Sequence, residues 1–99
     1  MSVRAIRLSP RDNVVVCCRA VEPGERIAID GHEIVVAERV PLGHKLALVP
    51  LAAGQKVLKY GMPIGSMTAD AAPGAWVHMH NMKSDYLAAH LRDAVGDPS

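Results

Sequence analysis

A short turn followed by a strand recurs in this sequence, and this repetition constrains the fold more than any other feature. The three copies read EPGERIAI at 22–29, AAGQKVLKY at 52–60 and APGAWVHMH at 72–80. Each has a Gly at or near its third position and a β-branched residue three places later. Gly supplies the positive φ of a tight turn, and Pro23 and Pro73 fix the φ of the position before it. The repetition therefore predicts short strands joined by tight turns.

Further strands are predicted where Val, Ile and Leu cluster between turn signals. These segments are NVVVCCRAV (13–21), HEIVVAERV (32–40) and HKLALVPL (44–51). Their length and β-branched content are typical of strands. Asp30-Gly31, with Ile29 before it and Ile34 after it, predicts a two-residue hairpin turn.

One segment, SDYLAAHLRDAVG at 84–96, has helical periodicity. Leu87, Leu91 and Val95 recur every four residues, with Ser84 as a candidate N-cap and Gly96 as a stop. A helix this short needs a surface to pack on. We therefore expect a compact, mainly β domain of short strands over 1–83 and a helical tail over 84–99.

Size and composition exclude several functional classes. The chain has 99 residues, three aromatic side chains and a formal net charge of +1. This length suits one modest core, whereas so few aromatic residues and so little charge do not suit a nucleic-acid surface. No apolar run approaches the roughly 20 residues that cross a bilayer, and the N-terminus lacks a secretory pattern. Adjacent Cys17 and Cys18 would point to opposite faces of a strand, which favours a reducing, cytoplasmic environment.

The stretch GAWVHMHNM at 74–82 contains the first candidate site. On a strand, His78 and His80 would share one face, where two imidazoles can bind a divalent metal or divide base and binding roles. Asn81 adds hydrogen-bonding capacity for a hydroxyl or a carboxylate. A solvated strand end explains the same pattern, so both interpretations stay open.

Three other segments carry candidate residues. In PLGHKLAL (41–48), His44 and Lys45 offer a base and a positive charge suited to an anionic organic acid. In LKYGMPIG (58–65), Lys59 and Tyr60 precede two Gly residues that would permit a close backbone approach. In PRDN (10–13), the acidic and amide side chains are typical of a turn cap. Each pattern also fits an ordinary turn.

These segments occur together in one order, as SPRDNVVV, PLGHKLAL, VLKYGMPIG and PGAWVHMHNMK. The ordered set resembles the small SAF domain of the altronate and galactarate dehydratase family, which also forms the small subunit of sulfolactate sulfo-lyase. The resemblance runs from about residue 5 to Lys83. It implies a β-clip-like fold of bent strands and a role in a lyase that acts on small hydroxy-carboxylates.

The resemblance further implies the small subunit of a two-component sugar-acid dehydratase, inactive without a larger catalytic chain. Such enzymes are associated with a divalent metal, commonly iron. Eliminating water requires a base, stabilisation of an enediolate and help for the departing hydroxide. The expected site residues are His44, His78 and His80 as metal ligands or acid/base groups, Lys45 and Lys59 on the carboxylate, and Tyr60 and Asn81 on substrate hydroxyls. The tail is expected to dock on the larger chain or on a second copy of this chain.

Two alternatives remain at this point. The chain also resembles the small subunit of a sulfolactate sulfo-lyase, an enzyme whose substrate loses sulfite instead of water. SAF-type domains also serve as non-catalytic binding or assembly modules. The set of three His residues favours chemistry, because an assembly module does not require them.

Overall fold

The structure, a computed structural model, describes residues 3–85 and forms nine short strands over them. In chain order they are β1 (Ala5–Ile6), β2 (Val14–Cys17), β3 (Arg26–Ile29), β4 (His32–Val35), β5 (Lys45–Ala47), β6 (Lys56–Lys59), β7 (Met62–Met67), β8 (Trp76–Val77) and β9 (Met82–Lys83). They make a four-stranded sheet in the order β1-β2-β5-β8, the hairpin β3-β4, and a three-stranded sheet in the order β6-β7-β9. All pairs are antiparallel. The predicted mainly β fold is confirmed.

The strands are shorter than the sequence predicts. The strands expected over 13–21, 32–40 and 44–51 end by Cys17, Val35 and Ala47. Beyond these ends the chain leaves its ladder for turns and single bridges, such as Val21 with Val40. The helix predicted over 84–96 falls almost wholly outside the described residues. None of the described residues forms a helix long and apolar enough to cross a membrane.

Four turns with the same hydrogen bonding connect these strands. They span 22–25, 41–44, 52–55 and 72–75, and in each the fourth N–H donates to the first C=O at 2.9–3.2 Å. Each third residue is a Gly with φ between +85° and +89°, as a type II turn requires. The turn at 41–44 lies outside the three-copy repeat found in the sequence, because its Pro41 stands one position earlier than Pro23 and Pro73 do in their turns.

The turns show that residues 21–46 and 51–77 are two copies of one unit. In each copy, the residue before the first turn bridges the residue before the second turn, as Val21 with Val40 and Leu51 with Ala71. A hairpin with a two-residue turn lies between the two Gly-containing turns of each copy. The turn residues of the two hairpins all have positive φ, and they are Asp30-Gly31 in the first copy and Tyr60-Gly61 in the second.

The two hairpins differ in how well the sequence predicts them. The turn at Asp30-Gly31 is confirmed, since Ile29 pairs with His32 across it. The hairpin β6-β7 replaces what the sequence indicates as a loop with two tight bends. Its ladder shifts register between Val57 and Leu58. Such a bulge bends the ribbon and lets a strand contain Pro63, which cannot donate to a ladder.

The hydrophobic core has two parts, which lie on the two faces of the four-stranded sheet. Alternate residues of β2 and β5 enter different parts, because side chains alternate across a strand. Val15 and Leu46 pack with the hairpin β3-β4. Val14 and Ala47 pack with β6 and β7. Strand β5 is thus packed on both faces, and both parts of the core fix the position of the residue that precedes it, His44.

Candidate functional site

The candidate site lies where β5 begins and β8 ends. These strands pair antiparallel, with Lys45 opposite Val77. His44 precedes β5 and His78 follows β8, so the pairing brings both to the same end of the sheet. Their ring centroids are 4.6 Å apart. Two segments distant in sequence therefore place two imidazoles in contact.

Trp76 joins these rings to a third imidazole. Its indole stacks on His78 with centroids 5.4 Å apart and an interplanar angle of 11°. Its ring centroid also lies 5.2 Å from that of His80 and 5.6 Å from that of His44. In addition, the Trp76 Nε1–H donates to Nδ1 of His44 at 3.2 Å. We call His44, Trp76, His78 and His80 the histidine cluster.

A tight turn holds the second half of the cluster. The strand predicted over 75–80 ends at Val77, so the positions of His78 and His80 do not follow from strand alternation. Instead, the Asn81 N–H donates to the His78 C=O at 3.0 Å. The Asn81 side chain accepts from the His78 N–H and donates to the Trp76 C=O, both at 2.9 Å. Asn81 is 7% exposed, so its amide is occupied by the backbone that carries the cluster.

Positive charge adjoins the histidine cluster. Lys45 is partly buried, and this burial, followed by the nearby charge of Lys59, lowers its pKa. Partial burial likewise lowers the pKa of His78, and the charges of His44, Lys45 and His80 lower it further. Neither Lys45 nor Lys59 forms an ion pair with a carboxylate within residues 3–85. Cations left without a counter-ion in one place favour the binding of an anion.

The hairpin tip that carries Lys59 and Tyr60 is fixed by a segment that is distant in sequence. Asp12 is 1% exposed, and its two carboxylate oxygens accept the N–H groups of Tyr60 and Gly61 at 3.0 and 2.7 Å. Asn13 accepts the Leu58 N–H at 2.8 Å. The segment PRDN is therefore a long-range clamp and not only a local cap. Tyr60 itself is 67% exposed, with its ring 6.0 Å from the Lys59 ammonium.

The three His residues that the sequence suggests as metal ligands do not form a complete site within residues 3–85. Among residues 3–85, no group of three or more His, Cys, Asp or Glu side chains is arranged to hold a metal ion. The Nδ1 atom of His44 already accepts the indole N–H. His78 and His80 keep their ring nitrogens free of protein hydrogen bonds in the described residues. Residues 3–85 alone therefore do not assemble three His ligands, and iron binding stays a prediction.

The structure brings together most of the residues that the sequence singles out. His44, His78 and His80 meet, and Lys45 adjoins them, with Lys59 close enough to affect it. Sequence reasoning missed the hydrogen bond from Trp76 to His44 and the clamp made by Asp12. The first follows from the pairing of β5 with β8, which no local pattern reveals. The second connects residues 49 positions apart.

The family model for the altronate/galactarate dehydratase SAF domain matches residues 3–85. Altronate dehydratase of Escherichia coli (strain K12) is 38% identical over 80 residues, which are 81% of this chain and 16% of that protein. Altronate dehydratase of Bacillus subtilis (strain 168) is 35% identical over the same shares. The (2R)-sulfolactate sulfo-lyase subunit alpha of Paracoccus pantotrophus is 51% identical over 45 residues, which are 46% of this chain and 67% of that protein.

The chain thus spans 16% of the length of the altronate dehydratases that it resembles. The match covers all the described strands and every member of the histidine cluster. By this match, the chain belongs to the altronate/galactarate dehydratase SAF domain family.

Proposed function

We propose that this chain is the small subunit of a two-component, cytoplasmic sugar-acid dehydratase. In this proposal it eliminates water from a small hydroxy-carboxylate together with a larger catalytic chain. The observation that carries the proposal is the convergence of three imidazoles beside Lys45 in a domain of this family. The relative from Paracoccus pantotrophus is named a subunit, which supports a partner chain.

The residues of this chain suit two parts of the reaction. Lys45 and Lys59, which pair with no carboxylate of residues 3–85, would attract the substrate carboxylate. His78, with its lowered pKa, favours the neutral imidazole near pH 7. That form is the one needed both by a general base and by a metal ligand. In this proposal, His78 and His80 are therefore the residues of this chain that would act as a general base or as metal ligands.

A divalent metal, iron in this proposal, would supply charge stabilisation of the enediolate and help hydroxide to leave. Within the histidine cluster, His78 and His80 are the residues that would hold it, and the larger chain would have to complete the ligand set. Asn81 keeps the turn between these two His residues closed. Its role in the proposal is therefore to position them, in place of the substrate contact that the sequence suggests.

A carbon–sulfur lyase is the second candidate. The observation in its favour is the 51% identity to a sulfolactate sulfo-lyase subunit over 45 residues. This identity is higher than the 38% to an altronate dehydratase, which however extends over 80 residues. The same lysines would then bind a substrate that carries both a carboxylate and a sulfonate. The two candidates differ in the leaving group and not in the anion site.

The test is reconstitution of the chain with a larger dehydratase-type chain encoded beside it. The complex is supplied with iron and a panel of aldonates, aldarates and sulfolactate, and the keto acid and sulfite products are measured. Keto acid from a sugar acid without sulfite supports the dehydratase, whereas sulfite release supports the second candidate. A stable complex that acts on no acid of the panel would reject both.

Variants then test the site. His78→Ala and His80→Ala should each lower kcat/KM at least about 100-fold, the usual contribution of one acid–base group. The matched control is His32→Ala, because His32 lies on β4 and makes no ring contact with the cluster. Wild-type turnover in both cluster variants would remove these two residues from the mechanism.

A further inference from the structure

The hydrogen bond between Trp76 and His44 restricts what His44 can do. An indole N–H is a donor only, so the atom that it contacts must offer a lone pair. That atom is Nδ1 of His44, at 3.2 Å. The proton of the neutral imidazole must then lie on Nε2, which leaves the ring without a free lone pair. In this state His44 can neither ligate a metal nor accept a proton.

The remaining polar atom of His44 is Nε2, which is then a hydrogen-bond donor. No hydrogen bond from Nε2 is made to any of residues 3–85. His44 is partly buried, and its neighbours are His78, at 4.6 Å between centroids, and Lys45, the next residue. Lys45 likewise has no carboxylate partner among these residues. The charges of His44 and Lys45 both act on His78, so both groups lie beside the same ring. Two donors beside one ring, without acceptors among residues 3–85, are suited to one anionic oxygen group.

We propose that Trp76 is a positioning residue that fixes His44 as a hydrogen-bond donor, and that His44 Nε2–H and Lys45 together bind a carboxylate. His44 is then neither the metal ligand nor the base that the sequence suggests. The donor state of His44 follows from the hydrogen bond alone. Only the identity of the anion, the carboxylate of a small hydroxy acid, rests on the proposed function.

The donor state can be observed in the full chain without any turnover. The chain is labelled with ¹⁵N, and long-range ¹H–¹⁵N spectra are recorded at pH 8. We expect His44 to carry its proton on Nε2, with a coupling across the hydrogen bond between Trp76 Nε1 and His44 Nδ1. A proton on Nδ1 would overturn the proposal.

Zinc then tests the exclusion of His44 from metal binding. Zn²⁺ alone is titrated into the labelled chain. Either His44 keeps its nitrogen shifts at every Zn²⁺ concentration, as we expect, or it moves to metal-bound values, which would overturn the proposal. Trp76→Phe keeps an aromatic ring against His78 but removes the N–H. In this variant the coupling must vanish and a His44 nitrogen becomes able to respond to Zn²⁺.

The anion is tested with tartrate, a small hydroxy-dicarboxylate. Tartrate should shift the Nε2–H signal of His44 in the wild-type chain, and His44→Ala should weaken tartrate binding about 10-fold or more, as for one hydrogen bond to a charged group. His44→Gln, which retains a donor, should bind within about threefold of wild type. Equal losses in the Ala and Gln variants, or no response of Nε2–H to saturating tartrate, would reject the anion role. Inactivity of the reconstituted complex would reject the proposed function but not the donor state.

Discussion

The carboxylate of Asp12 accepts the backbone N–H of Gly61 at 2.7 Å, across 49 residues of sequence. Its other oxygen accepts the N–H of Tyr60 at 3.0 Å. Both N–H groups belong to the tip of the hairpin β6-β7, where positive φ turns them towards the same side. One buried side chain therefore fixes the position of the hairpin that carries Lys59.

Asp12→Asn should lower the free energy of unfolding by about 1–3 kcal/mol, because an amide NH₂ would face one of the two N–H donors and leave it unsatisfied. Urea unfolding measures this change, and hydrogen exchange should show faster exchange at Tyr60 and Gly61. The matched control is Asp70→Asn, since Asp70 is exposed and, within residues 3–85, accepts one N–H, that of Ala53. Similar small effects in both variants would contradict the clamp.

Gly74 should tolerate Ala far less well than Gly54 does, although both have φ of +89°. A Cβ at Gly74 would lie 2.0 Å from the Val35 carbonyl oxygen, whereas a Cβ at Gly54 meets nothing within 4 Å. Gly54→Ala should cost only the left-handed backbone penalty of about 1–2 kcal/mol. Gly74→Ala adds a backbone clash and should cost several times as much. Urea midpoints of the two variants decide the matter, and equal midpoints would show that this close approach is unimportant.

Lys45→Met should stabilise the isolated chain while it weakens anion binding. Burial and the charge of Lys59 lower the pKa of Lys45, so the folded state disfavours its ammonium form. Methionine keeps the length of the side chain without the charge, and a gain of about 0.5–2 kcal/mol is typical of such relief. Lys56→Met is the contrasting control, because Lys56 contacts Asp85 at 2.6 Å and Ser66 at 3.1 Å. Thermal unfolding should move in opposite directions for the two variants, and a less stable Lys45→Met would refute the expectation.

The adjacent cysteines should differ sharply in reactivity. Burial, and then the charges of Cys18 and Glu25, raise the pKa of Cys17 to about 11. Since the thiolate is the reactive form, Cys17 should stay unmodified at pH 8 and begin to react only as the pH approaches that value. Cys18 is exposed. Labelling with a chromogenic disulfide at pH 8 should count one thiol in the native chain and two in guanidinium, while Cys18→Ser should leave none in the native chain. Two fast thiols in the native wild type would be inconsistent with this burial.

The local parts of the fold could be predicted from the sequence. The turns at Gly24, Gly54 and Gly74 and the hairpin at Asp30-Gly31 depend on φ preferences of single residues, which a sequence pattern records directly. Strand β7 could not be predicted this way. Its Pro63 and Gly65 indicate a loop, and only the bulge within β7, between the pairs Val57–Gly65 and Leu58–Pro63, accommodates them.

The candidate site was predictable in its members but not in its contacts. The resemblance to a family singles out His44 and His78, and the structure places their rings 4.6 Å apart. Their hydrogen bonding depends on the register of β5 against β8 and on a turn after Val77. Because register is a long-range property, neither the bond from Trp76 nor the occupation of the Asn81 amide could be read from spacing.

The four type II turns divide into two kinds with different consequences. In the turns at 22–25 and 52–55, the fourth side chain folds back onto the first N–H, as Glu25 does on Glu22 and Gln55 does on Ala52. The turn at 41–44 cannot close in this way, because Pro41 has no N–H to donate. The fourth residue of that turn is His44, and its side chain therefore makes no hydrogen bond to the N–H of the first residue. In each copy, the first turn is thus closed by the side chain of its own fourth residue. The second turn, which leads into β5 or β8, has no such closure, and before β5 this leaves the side chain of its fourth residue available to the candidate site.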